Sequence, residues 1–460
     1  MNSERSRHFN AIENYGVIFG IVIMAISNWI SLGMYNPVFT PIFILGLIIT
    51  TLAITRAPLS DKVNSKVIFL SAGVLFFLGF LRPTIIYPDF TNIASVKAYF
   101  ILEIFLLSCA VICASICLII PEQKHRSWEV ISRVVVACCI LCFLLVLRIS
   151  PIPKIDVFVI NSLGADAFMS GINPYSTTYP DIYNGAYGYH PGYTYWPFYL
   201  LFSIIPRIFG DIRLVTISSI ALTVGIIIII GKRFFRNKYA IAVAFLLLAL
   251  PANCFVIEQA WIDTLLLAGL ASIAWAIVNE NYWMSAIFLG FVISTKQYGI
   301  IAALPTLIIW IQLLNVKKSM MLAATTLFTS LLIILPFAAN NWNGFFHNTI
   351  EMLVIIPSRD DSLSLPALIK HFYNFQLNGA ILLLCYAIIS IIMLVWQWKY
   401  KAYLKGWMIS IALTFSWIFI LGKQAFANYH QFAIELLILT IIMPRENLQS
   451  IYPSRKPYEK

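Results

Sequence analysis

Residues 151–195 read PIPKIDVFVINSLGADAFMSGINPYSTTYPDIYNGAYGYHPGYTY, a polar, aromatic, turn-rich insert between apolar runs. On one side stands 130–149, VISRVVVACCILCFLLVLRI; on the other stands 212–231, IRLVTISSIALTVGIIIIIG. The flanks decide the fold. An apolar run of about 20 residues is the length that crosses a bilayer as a helix, and lipid leaves the backbone few other ways to satisfy its hydrogen bonds. Of the 460 residues, 60% are hydrophobic and 11% charged, with a mean hydropathy of +0.85. That load excludes a water-soluble domain and predicts an all-α polytopic membrane protein.

Working outward from the insert, the apolar runs predict spans at 15–35, 39–55, 66–87, 98–120, 130–149, 212–231, 239–255, 262–279, 282–295, 299–314, 319–337, 377–397, 404–421 and 428–443. Residues 196–206 read as a further short, re-entrant helix, giving about 13–14 crossings in all. The chain reads as one integral membrane domain: N-terminal helices over 1–150, the insert over 151–195, a helix bundle over 196–443 and a tail over 444–460. The first apolar run is too long for a cleaved signal peptide and lacks a small-residue cleavage site, so it reads as a retained anchor.

Charge sets the expected orientation. Most of the 31 Lys and Arg residues fall on one side if the N-terminus is cytoplasmic, including KRFFRNK at 232–238 and KYKAYLK at 399–405. The net charge of +11 is then an anchor facing anionic lipid, and no nucleic-acid partner is needed to explain it. The same orientation puts 151–195 outside, together with 338–376, which carries Arg359, Asp360, Asp361, Lys370 and His371. Both termini are expected in the cytoplasm, and the bacterial inner membrane is the expected location.

The eight cysteines lie in or beside apolar runs, which argues against a disulfide framework. Cys109, Cys113 and Cys117 share a helix face at four-residue spacing; helix packing explains them, because no second ligand pair completes a metal site. No cofactor is required by these motifs, and a divalent metal is possible without being indicated. No glycine-rich nucleotide motif appears.

Several polar residues at span ends call for an explanation, since a carboxylate near hydrocarbon is costly unless paired or used. Asp156 opens a stretch whose apolar spacing (Val157, Val159, Ile160, Leu163, Ala167, Phe168) predicts an amphipathic surface helix, and it suits an N-terminal cap there. Gly171-Ile172-Asn173-Pro174-Tyr175 ends that helix. The tyrosines that follow, Tyr175, Tyr179, Tyr183, Tyr187, Tyr189, Tyr193 and Tyr195, suit an interfacial belt or a sugar-stacking platform equally well. Three further clusters fall on the same expected side: Glu258, Gln259 and Asp263; Lys296 and Gln297; Lys423, Gln424, Asn428, Tyr429 and His430. Each lysine taken singly suits snorkelling to head groups. Glu103 and Glu435 lie within spans and receive no role.

Taken in order, Ile155-Asp156, Ala165-Asp166-Ala167, Gly171-Ile172-Asn173-Pro174-Tyr175 and Tyr195-Trp196-Pro197 resemble the GT-C superfamily of polyprenyl-phosphate-sugar-dependent glycosyltransferases. Glycosyltransferase family 87 and the catalytic subunit of the GPI-anchor mannosyltransferase are similar here. Glu258-Gln259 with Asp263, Lys296-Gln297 and Asn428-Tyr429-His430 resemble further polar elements of these enzymes. The resemblance spans about residues 150 to 440. Five spans precede the acidic loop here, where one is usual, and a single carboxylate stands where the pattern has a pair.

The resemblance implies transfer of mannose or another hexose from a polyprenyl-phosphate donor to a hydroxyl of a glycolipid or surface glycan acceptor, for building cell-envelope glycans. One carboxylate suffices as general base in such a reaction. A phosphate leaves without the second, protonated carboxyl group that a glycosidase needs. On this reading Asp156 is the base, with Asp166 as the first alternative. Lys296, Lys423, His430 and His190 would hold the donor phosphate. Tyr175, Tyr189, Glu258, Gln259, Asp263, Asn428 and Tyr429 would position sugar or acceptor. An O-antigen or capsule polymerase, which would carry several arginines in a late loop, and a lipid-linked glycan flippase or other transporter, with charges at mid-membrane depth, stand as the alternatives.

Overall fold

The computed structural model describes residues 2–56, 64–119, 126–185, 192–235, 237–400 and 403–444. His190, Tyr187, Tyr189 and the tail from residue 445 lie outside the described residues. Within them the regular structure is helical, and the one strand-like feature is an isolated antiparallel bridge between Met34 and Ser362. The protein is an all-α polytopic membrane protein. Helices occupy every segment expected to span, yet five are long and apolar enough by length and composition to cross alone: Phe39–Arg56, Ile93–Cys117, Leu214–Phe234, Val316–Asn340 and Gly379–Lys399. Others are shorter because the chain breaks them. The run 130–149 divides into Arg126–Cys142 and Leu144–Ile149, and Asn237–Leu248 stops just short of Pro251, a residue that cannot continue the helical ladder.

Four helices carry much of the interior among the described residues. Asn237–Leu248, Asp263–Val278, Tyr403–Ile420 and Ala427–Ile442 are buried almost all round, as helices without a polar stripe must be. By contrast Gly379–Lys399 leaves most of its surface outward. Small residues let neighbours approach closely: a Cβ on Gly20 would lie 2.6 Å from the Gly46 carbonyl across the Asn2–Ser31/Phe39–Arg56 pair.

What matters for function is how the helix ends at one end of the bundle are tied together. Arg213, fully buried, donates to the Ser150 carbonyl, pairs with Asp211 and stands 5.2 Å over the Phe158 ring. It thereby fixes the approach to the helix Asp156–Met169. The Glu258 carboxylate accepts the backbone N–H groups of Ile86 and Tyr87, both at 2.7 Å, joining the N-terminal helices to the core. The segment 357–364 is held by its backbone: Arg359 N–H donates to Lys423, Leu363 N–H donates to Gly33, and Asp361 accepts from Tyr35. Asp156 proves to be the first helical residue rather than the cap, a position taken by Ile155. All eight cysteines are free thiols, with the Cys109 and Cys139 sulfurs 3.6 Å apart.

Gly33 has φ +71°, and a Cβ there would stand 1.9 Å from the Ala427 nitrogen. Gly33→Ala should therefore push the start of Ala427–Ile442 aside and lower the thermal midpoint of the detergent-purified protein by several degrees. Gly225, inside Leu214–Phe234 with nothing within 4 Å of an added Cβ, should accept alanine and gain up to about 1 kcal/mol. Equal midpoints for the two variants would contradict this packing.

Candidate active site

Three helix ends converge on one buried ion pair. Asp263 is the first residue of Asp263–Val278, Lys296 is the C-terminal cap of Tyr282–Thr295, and Asn428 lies in the first turn of Ala427–Ile442. The Lys296 ammonium is 3.1 and 3.4 Å from the two Asp263 oxygens, and Asn428 donates to Asp263 Oδ2 at 2.8 Å. Lysine is 7% exposed and aspartate 2%. Each charge sits at the helix end whose dipole favours it, acid at the N-terminus and base at the C-terminus. Tyrosine rings complete the enclosure: the ammonium stands 4.7 Å from the Tyr298 centroid, 4.8 Å from Tyr429 and 5.7 Å from Tyr195. Electron-rich ring faces offset part of the desolvation of the cation. Gln297 donates to the carbonyls of Thr194 and Thr349 at 2.7 and 2.8 Å, so the tyrosine-bearing segment and residues 342–356 close over the same place.

Asp156 is linked to this enclosure through Tyr195. Its neighbours Ile155 and Val157 pack against Phe255, Val256, Trp261 and Ala427. Its carboxylate accepts the Val157 N–H at 2.8 Å, with the Tyr183 hydroxyl 3.5 Å away. Burial pushes its pKa above the ordinary 3.8, while the Val157 N–H, the Tyr183 hydroxyl and the Arg359 charge pull the other way. Burial holds the pKa of Tyr195 well up, and the charges of Asp156 and Asp263 add to it. The base candidate and the ion pair therefore act on one tyrosine.

Arg359, placed by the sequence in the second outer loop without a site role, brings its charge to bear on Asp156. Its guanidinium grips Asp361 through Nε and Nη2 at 2.7 and 2.6 Å and lies 5.1 Å over the Phe426 ring. In the sequence it is a lone arginine in a loop; the available signal was its place in Pro357-Ser358-Arg359-Asp360-Asp361, a tight turn between helices.

Other expected site residues have different partners. Tyr175 is buried against Phe345, Phe337 and Tyr193, and its hydroxyl donates to the Tyr195 carbonyl at 2.6 Å, so it positions Tyr195 rather than offering a face to sugar. Glu258 is taken up by the loop N–H groups above and by the Gln259 amide at 3.0 Å. His430 Nε2 lies 2.7 and 3.1 Å from the Leu363 and Ala425 carbonyls, which makes it an anchor for the 357–364 segment. Lys423 reaches the Val354 carbonyl at 3.4 Å. Asp166 forms a bidentate pair with Arg207 at 2.8 and 2.7 Å. It lies ten residues beyond Asp156 on the same helix, about 15 Å along the axis. The structure thus joins Asp263, Lys296, Asn428 and Tyr429 by direct contact, with Asp156 acting on their neighbour Tyr195, while Asp166, Lys423, His430, Glu258, Gln259 and Tyr175 make the other contacts just described.

Residues 193–420 match the sequence profile of glycosyltransferase family 87, a GT-C type family. The match supports a membrane glycosyltransferase of GT-C type. No curated protein and no solved structure matches it. The matched stretch holds Tyr195, Asp263, Lys296 and Arg359, while Asp156 precedes it and Asn428 and Tyr429 follow it.

Breaking a buried ion pair leaves an uncompensated charge, at a cost of about 3–5 kcal/mol. Asp263→Asn and Lys296→Met should each destabilise the protein by that order, and the double variant should lose markedly less than the two together. A denaturant double-mutant cycle in detergent measures this. Additive losses would show that the two side chains do not depend on each other.

Proposed function

We propose that this glycosyltransferase moves mannose or another hexose from a polyprenyl-phosphate donor to a hydroxyl of a glycolipid or surface glycan at the outer face of a bacterial inner membrane, with Asp156 as general base. The observation that carries the proposal is the half-buried Asp156 carboxylate acting on Tyr195, whose ring also lines the cation-bearing enclosure of Lys296, Asp263 and Asn428. The acceptor oxygen attacks the anomeric carbon as Asp156 takes its proton. The bond from that carbon to the phosphate oxygen breaks, and polyprenyl phosphate leaves with the electron pair, inverting the centre. Fixed cations near the departing phosphate stabilise its charge in a site largely free of water. Tyr195, Asn428 and Tyr429 are placed to orient sugar or acceptor hydroxyls.

The outer-face assignment has structural support. Arg233, from the densest basic cluster, donates to Asn279 just past the end of Asp263–Val278. The basic cluster and the Asp263 end of that helix are therefore separated by its 16 residues, about 24 Å. If the basic cluster faces the cytoplasm, the candidate site faces out.

Asp156→Asn keeps an oxygen to accept the Val157 N–H but cannot take a proton. It should lower transfer from radiolabelled polyprenyl-phosphate sugars by about 10²–10⁴-fold while inserting and purifying as the wild type does. Near-wild-type transfer would remove Asp156 from the chemistry. A second expectation concerns pH. Asp156 works only when deprotonated, so activity is present above its folded pKa and lost as pH falls through it. Because burial raises that pKa, the acid limb of kcat/KM should lie above 3.8, the ordinary aspartate value. A limb at or below that value would assign the base to a solvated carboxylate.

A further inference from the structure

We infer that Arg359 is the residue that grips the donor's phosphate, exchanging its Asp361 partner for the lipid phosphate when the donor enters. The inference rests on the donor class proposed above and adds the phosphate ligand that the sequence did not reveal.

Lys296 and Arg359 are in different situations. Lys296 is 7% exposed, paired with Asp263 and ringed by tyrosines. Drawing it onto a phosphate would strand the Asp263 carboxylate in a buried position. The Arg359 side chain is 21% exposed and its Asp361 partner 44% exposed. A half-solvated carboxylate can be returned to water at small cost, because exposed ion pairs are weak. The planar guanidinium fork that now holds two carboxylate oxygens is the shape that holds two phosphate oxygens.

The arginine is also presented rigidly and in the right place. Its backbone N–H is fixed to the Lys423 carbonyl at 2.8 Å, its carbonyl accepts from the Ser362 hydroxyl at 2.9 Å, and the Met34–Ser362 bridge holds the next turn. Phe426, under the guanidinium, directly precedes Ala427, a member of the apolar cluster against which Ile155 and Val157, on either side of Asp156, pack. The positive charge reaches the Asp156 carboxylate. Just upstream, Val354 and Ile355 are 71% and 59% exposed, an apolar approach suited to a polyprenyl tail whose phosphate ends at Arg359.

The test is binding rather than transfer. The full-length protein, in nanodiscs, is titrated with decaprenyl phosphate and, separately, with uncharged decaprenol. Wild type should prefer the phosphate. Arg359→Gln should weaken decaprenyl phosphate binding by about 10- to 100-fold, the range of a charge-assisted bidentate contact, and leave decaprenol binding unchanged. Arg359→Lys should recover part of the loss, and Lys370→Gln, which removes a charge on the following helix Leu365–Tyr373, should lose little. Asp361→Asn should tighten phosphate binding by freeing the guanidinium from its competitor; an arginine with a merely structural role would predict no gain. A wild type that does not distinguish the two lipids would overturn the donor class itself. A wild type that does, with Arg359→Gln unchanged or Asp361→Asn weakened, would overturn the role of Arg359 and leave the donor class standing.

Discussion

The ion pair between Lys296 and Asp263 is the constraint around which this end of the molecule is arranged. Neither charge is tolerable alone in an apolar interior. Their meeting fixes the ends of three helices relative to one another: the start of Asp263–Val278, the end of Tyr282–Thr295 and, through Asn428, the start of Ala427–Ile442. From that junction the rest follows by contact. Gln297, next to Lys296, draws in Thr194 and Thr349, and Tyr195 comes to lie between the pair and Asp156 in electrostatic terms.

A second layer holds what the ion pair cannot reach. Glu258, His430 and Arg213 are buried polar side chains whose hydrogen bonds go largely to backbone carbonyls or N–H groups of distant segments. A buried polar group with all its partners fixes a unique arrangement, and one with partners missing would be expensive. These residues therefore act as ties, and they explain why a site built from residues as far apart as 156 and 429 is held together without a soluble domain. The glycosyltransferase family match, over 193–420, covers the centre of this construction. Asp156 and Asn428 join it from outside through packing on Trp261 and Ala427 and through the Asp263 hydrogen bond.

The fold was largely legible from the sequence because its signal is hydropathy over windows of about 20 residues, which survives without knowledge of tertiary contacts. The helices Phe39–Arg56, Asp263–Val278 and Tyr282–Thr295 stand where their apolar runs predict. Shorter-range events were less visible. The break at Phe143 leaves no proline or glycine to mark it, and the π-helical turn His347–Glu351 has no sequence signature. The site was half legible. Polar residues at helix ends announced Asp263, Lys296, Asn428 and Asp156, since hydrocarbon makes such residues conspicuous. Their division into an ion pair, a base candidate and backbone ties was not legible, because it depends on which distant segment each side chain meets. The sequence could not show that Glu258 and His430 hydrogen-bond to distant backbone, and a loop arginine such as Arg359 is unremarkable until Phe426 is seen beneath it.

The central claim is that the ion-pair enclosure, Asp156 and the loop arginine form one mouth at which a lipid phosphate is held. A cryo-electron-microscopy structure of the full-length protein in nanodiscs with decaprenyl phosphate bound tests it most directly. The account predicts phosphate density against the Arg359 guanidinium, facing the Asp156 carboxylate across a space the size of a hexose, with the Lys296–Asp263 pair intact behind it. Phosphate density elsewhere on the protein, or an Asp156 carboxylate turned away from it beyond the reach of a sugar ring, would contradict it.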